Sequence, residues 1–72
     1  MQARAMRIKI ENLKEGMIVY LILSGESKKK LHDHQKHEVV KNHFMNKLVL
    51  DNDYGQVALD KLPNGAELFV EF

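Results

Sequence analysis

Apolar and polar residues alternate with a period of two through the C-terminal half of this 72-residue chain. From Glu38 to Phe72 the alternation puts Leu48 and Leu50 on one face of a pleated ribbon, then Val57 and Leu59, then Leu68, Val70 and Phe72. Asn52-Asp53-Tyr54-Gly55 and Pro63-Asn64-Gly65 separate these runs with residues suited to turns. Upstream, Arg7-Ile8-Lys9-Ile10-Glu11 alternates charge with isoleucine, the pattern of a half-buried strand. Asn12 to Gly16 reads as a turn, with Gly16 available for positive φ and Leu13 tucked beneath it. Met17 to Leu23 is a continuous apolar run of seven residues, rich in β-branched side chains and bounded by Gly16 and Gly25. It predicts a central strand contacted on both faces. Met1 to Met6 predicts a flexible tail, followed by one small domain over residues 7–72.

The ambiguous stretch lies between these regions. Lys28 to Lys36 has a single apolar residue, Leu31, and predicts a long, basic, solvated loop. The alternative is a helix over residues 28–44, capped by Ser27, which would give an α+β fold. Its apolar stripe would be thin, and three lysines in its first turn would oppose the helix dipole. With the loop preferred, His37 to Phe44 becomes a strand with Val40 and Phe44 inward, and Val39, Lys41 and His43 on the other face. Met45-Asn46 then reverses the chain into Lys47 to Asp51, and Gln56 to Asp60 follows as the next strand. Lys61 to Gly65 reads as one helical turn or a β-turn with Leu62 plugging the core, before Ala66 to Phe72 completes the sheet.

This order of about five strands, with a long loop after Met17–Leu23 and one helical turn before the last strand, resembles an SH3-like small β-barrel. Asn46-Lys47-Leu48-Val49-Leu50-Asp51 followed by Tyr54-Gly55-Gln56-Val57-Ala58-Leu59 is similar to the middle hairpin of such barrels, Sm-like ones included. Leu13-Lys14-Glu15-Gly16-Met17-Ile18-Val19 is similar to the Leu-x-x-Gly-Met-x-Val opening of several bacterial barrel segments. The resemblance implies an all-β fold whose closed sheet leaves few free edges; it implies no activity.

Bulk properties narrow the class. Apolar residues make up 44% and charged residues 29%, ordinary values for a folded domain. With no cysteine there is neither a disulfide framework nor thiolate chemistry. The longest apolar run falls far short of the ~20 residues a membrane helix needs, so a cytoplasmic protein without membrane partners is expected. The net charge of +1 hides a split: residues 1–50 carry +5 and residues 51–72 carry −4. A polarised charge distribution suits an anion-facing surface.

The candidate chemistry follows from that split. Lys28, Lys29, Lys30, Lys36, Lys41 and Lys47 are candidates for contact with nucleic acid or another anion. Lysines without arginines would read sequence weakly. Val39, Val49, Tyr54 and Phe69, placed off the alternating core set or at a turn, are candidates for contact with a protein partner or a second copy. His32, His34 and His37 are marginal candidates for a metal, because His-x-His suits a strand and the next spacing suits a helix. The ordinary alternative is a solvated loop whose lysines confer solubility. No Ser-His-Asp grouping with supporting glycines and no Gly-rich phosphate loop is present, so neither catalysis nor a cofactor is expected. The expected function is that of a small binding or regulatory module. Its contact is with protein in one version and with nucleic acid, weakly sequence-specific, in the other.

Overall fold

The computed structural model describes residues 5–26 and 31–71, Glu71 by its backbone alone. Its strands are β1 (Ala5–Ile8), β2 (Ile18–Ile22), β3 (Lys36–Asn42), β4 (Lys47–Asn52), β5 (Gly55–Ala58) and β6 (Glu67–Glu71). They form one antiparallel sheet of six strands in the order β1-β6-β2-β3-β4-β5. Single 3-10 turns at Ile10–Asn12, Asp33–Gln35 and Leu59–Lys61 are the only helical elements among the described residues. No helix there is long and apolar enough to cross a membrane. The all-β expectation holds, and a helix over residues 28–44 does not form in the described part. Lys36 opens a strand that is paired on one side with β2 and on the other with β4. Two ladders satisfy its backbone and accommodate the β-branched Val39 and Val40 better than a helix would.

Residues directly opposite in an antiparallel ladder share a face. One face therefore carries Ile8, Leu68 and Leu21 in a row, Val70 beside Val19, and Val39, Leu50 and Val57 in another row. These residues, Val57 aside, build the main core with Leu13, Leu48, Leu59, Leu62 and Ala66. Leu62 sits where the sequence placed it, although the 3-10 turn comes two residues earlier than expected. The other face carries Ile22, Tyr20 and Val49, which are also buried. Strand β2 is thus enclosed on both sides, as its unbroken apolar run predicts.

Three local expectations are corrected. Strand β1 starts at Ala5, inside the expected tail, and ends at Ile8. The chain leaves the sheet at Lys9, so Ile10 is exposed in a 3-10 turn that delivers Leu13 to the core. The phase of β3 is the reverse of the expected one: Val39 is 0% exposed, Val40 is half-buried and Phe44 is 102% exposed. The physical reason is the pairing with β4: Val39 lies opposite Leu50 and shares its core face, while Val40 lies opposite Val49 on the other. Asn42 pairs with Lys47, so the loop is the four residues His43–Asn46 rather than the dipeptide Met45-Asn46. Phe44 belongs to no strand and has no face to turn inward.

Gly16 also helps to set that phase. The Met17 N–H donates to the Lys14 carbonyl (3.2 Å), the Gly16 N–H to the Val39 carbonyl (2.7 Å) and the Val39 N–H to the Met17 carbonyl (2.8 Å). Two residues of one strand oppose one of the other, and the first is a glycine at φ +92°, the pattern of a glycine bulge. The bulge locks Val39 in register. A Cβ at Gly16 would meet no atom within 4 Å, so Gly16→Ala strains only the backbone. We expect it to cost about 1–2 kcal/mol in urea denaturation, with no added loss for Gly16→Ser.

Candidate binding surface

The register spreads the three expected lysines that lie among the described residues over two faces. Lys36 lies opposite Tyr20, on the face of Glu38, Val40 and Asn42, while Lys41 lies opposite Leu48 on the core side at its open end. Lys47 returns to the first of these faces and donates to Asp60 Oδ2 at 2.9 Å. That hydrogen bond and its charge hold the Asp60 carboxyl below the ordinary carboxylate range. Both partners are exposed, so the pair adds little to stability. Glu38 and Asp51 stand opposite one another between Lys36 and Lys47, which breaks the basic stripe. Lys28, Lys29 and Lys30 lie outside the described residues.

The expected apolar patch is corrected more strongly. Val39 and Val49 are both buried, on opposite faces of the sheet, and neither reaches a surface. Val49 faces away from the core as expected. It is covered, however, in a part of the sheet where the Asn42 Nδ2 of β3 donates to the Gln56 Oε1 of β5 at 3.2 Å, reaching across β4. Phe69 is half-buried beside Tyr20 and opposite Arg7, and Arg7 pairs with Glu67 at 3.5 Å. Tyr54 is exposed at the tip of the two-residue β4–β5 loop, where its N–H donates to Asn52 Oδ1 at 2.9 Å. The four residues do not meet.

The histidines separate as well. His32 and His34 are exposed and their rings stack, with centroids 5.5 Å apart. His37 turns into the sheet, Nδ1 lying 2.7 Å from the Gln35 carbonyl and Nε2 lying 3.1 Å from Asn52 Nδ2. Among the described residues no three His, Asp or Glu side chains come together as a metal site requires. The buried end of this network continues through Gln35 to Glu26 and the His32 backbone. It borders a hollow of ≈ 270 Å³ between Leu21, Leu23 and Val57.

The most exposed apolar surface was not among the candidates. Phe44 and Met45 project from the β3–β4 tip, flanked by the exposed Lys41 and His43. The tip is a braced structure: the Met45 N–H donates to Asn42 Oδ1 at 3.0 Å, and Asn46 adopts φ 54°, which asparagine tolerates. The paired asparagines around His43-Phe44-Met45 were the available signal for a four-residue loop. Beside the tip, on the Val49 face, opens a second hollow of ≈ 480 Å³, lined by Met45, Val49, Val57, Ala58, Lys47 and Lys61 among others. Comparisons with family models, curated proteins and solved structures return no match.

Proposed function

We propose that this chain is a non-catalytic binding module on an SH3-like barrel scaffold, and that it engages a protein partner through the β3–β4 tip. The strand order, with a 3-10 turn before a last strand that returns to β2, supports the SH3-like reading. One observation carries the contact: Phe44, the most exposed large apolar side chain among those described, stands on a hydrogen-bonded loop next to Met45. Phenylalanine left in water forgoes about 1.5–3 kcal/mol of burial, which docking would recover without reordering the loop. The alternative, nucleic acid, has less support. Its phosphates would meet Glu38 and Asp51 between Lys36 and Lys47, and Lys47 is already engaged by Asp60.

The test is affinity capture with tagged wild-type protein and Phe44→Asp, each first shown to melt at the same temperature. Proteins enriched by wild type should be lost with Phe44→Asp. An identical set from both proteins would remove the tip from the contact. Binding of a mixed oligonucleotide that weakens steeply with salt would favour the alternative.

A further inference from the structure

We propose that β5 and the hollow beside it accept an extended peptide from a partner protein, which adds to the sheet as a seventh strand. This site deepens the binding-module reading by giving the partner a chemistry, and it does not depend on Phe44.

The backbone comes first. Among the described residues β5 ends the sheet and pairs only with β4. In an antiparallel ladder every second residue directs its N–H and C=O away from its partner strand, so β5 presents such groups outward. Natural edges are usually blunted with charge or proline. The opposite edge, β1, carries Arg7, whereas Gly55-Gln56-Val57-Ala58 contains no charge and no proline. The strand's length of four residues limits an added strand to a short segment.

The hollow supplies the side-chain site. Val57, Ala58 and Met45 line it, with the buried Val49 beneath. Its volume of ≈ 480 Å³ admits a leucine, isoleucine or phenylalanine side chain with space to spare. Lys47 and Lys61 are its two cations, and Lys47 is paired with Asp60. Lys61 is exposed and within ion-pair distance of no acid among the described residues, though its charge also helps to lower the pKa of the Asp60 carboxyl. Two lysines against one carboxylate leave the rim one positive charge in excess. A strand carries side chains of one face at every second position. The occupant that fits is therefore an extended peptide with a large apolar residue followed two positions later by an acidic one.

Two segments of the chain itself are poor occupants. A second copy's β5 would offer only Gln56 and Ala58 on the Val49 face. Phe69-Val70-Glu71 has the right spacing, but β6 is already paired on both sides, with β1 and β2.

The test is an NMR titration of the intact chain with blocked seven-residue peptides. The probe alternates threonine with isoleucine and carries a glutamate two residues after the central isoleucine. A second peptide has lysine in place of that glutamate, and a third has proline at the central backbone position. The glutamate peptide should shift the amides of Gly55 to Ala58 and the signals of Met45 and Lys61, and the proline peptide should not. Lys61→Glu should weaken the glutamate peptide about three- to tenfold and strengthen the lysine peptide. Affinity capture with Phe44→Asp tests the tip separately, so the two proposals fail independently. The proposal is overturned if no β5 amide responds at millimolar peptide, or if Lys61→Glu binds both charged peptides as wild type does. It is also overturned if the β5 amides shift with protein concentration alone, which would assign the edge to a second copy.

Discussion

Val39→Asp is expected to leave this protein unfolded in buffer at room temperature, whereas Phe44→Asp should denature within about 0.5 kcal/mol of wild type. The contrast follows from burial. Val39 is 0% exposed, lies opposite Leu50 in the core, and both its N–H and its C=O are bonded to the glycine bulge at Gly16-Met17. A carboxylate there loses its hydration and finds no cation, a penalty above about 4 kcal/mol even after the core relaxes. A domain of this size holds only about 3–5 kcal/mol in total. The penalty exceeds the stability, so the outcome is loss of the fold and not a shifted midpoint. Phe44 leaves no cavity when removed, because nothing packs around it. Circular dichroism and urea denaturation of the two variants decide the matter. A folded Val39→Asp, or an unfolded Phe44→Asp, would restore the phase expected from the sequence.

That phase shows what could be read from residues and what could not. The central strand β2, the Asn52–Gly55 turn, the bend at Gly16 and the plug at Leu62 each rest on a local signal, and each is found. The phase of β3 has no such signal. Val39 and Val40 are adjacent and equally apolar, so period two permits either to face the core. The choice is made by two features set at a distance. One is the bulge across from Val39, and the other is its pairing with Leu50 on β4, which puts the two on one face. A change of two in loop length moved Phe44 from an inward strand position to a solvent-exposed tip, and the most accessible apolar contact was missed with it. The described lysines, Lys36, Lys41 and Lys47, do not gather for a related reason: strand pairing places Glu38 and Asp51 between Lys36 and Lys47, and pairing is not visible along the chain.

The same limit applies to His37. Three histidines within six residues look like a loop set free to gather a ligand, but the partner of the third is an asparagine fifteen residues downstream. The Gln35 carbonyl can only accept, so Nδ1 of His37 carries the proton and Nε2 presents a lone pair. The Asn52 amide is oriented independently, its oxygen accepting from the Tyr54 N–H and its nitrogen donating to the His34 carbonyl at 3.1 Å. Its second amide proton is then directed at His37 Nε2. One side chain joins the β4–β5 turn, the segment before β3, and the ring at the edge of the core.

Asn52→Ala should therefore cost about 2–3 kcal/mol, more than a turn residue in a small hairpin usually carries. It removes the acceptor for the Tyr54 N–H and both donors, and leaves His37 Nε2 7% exposed at the residue level with no protein partner. A double-mutant cycle separates the bridge from the turn. His37→Phe replaces the ring with an apolar one of similar shape, so in its presence Asn52→Ala loses only the turn and His34 contacts. The pair should cost less than the sum of the single changes by about 1 kcal/mol or more, because neither variant then strands the other's partner. The turn contribution appears in both arms and cancels. Urea denaturation of the four proteins supplies the cycle. Additivity within about 0.5 kcal/mol would mean that water serves His37 as well as Asn52 does, which the adjoining hollow of ≈ 270 Å³ would make physically reasonable. Coupling above that level would make Asn52 the residue through which the β4–β5 hairpin positions the start of β3, and with it the strand that ends in the Phe44 tip.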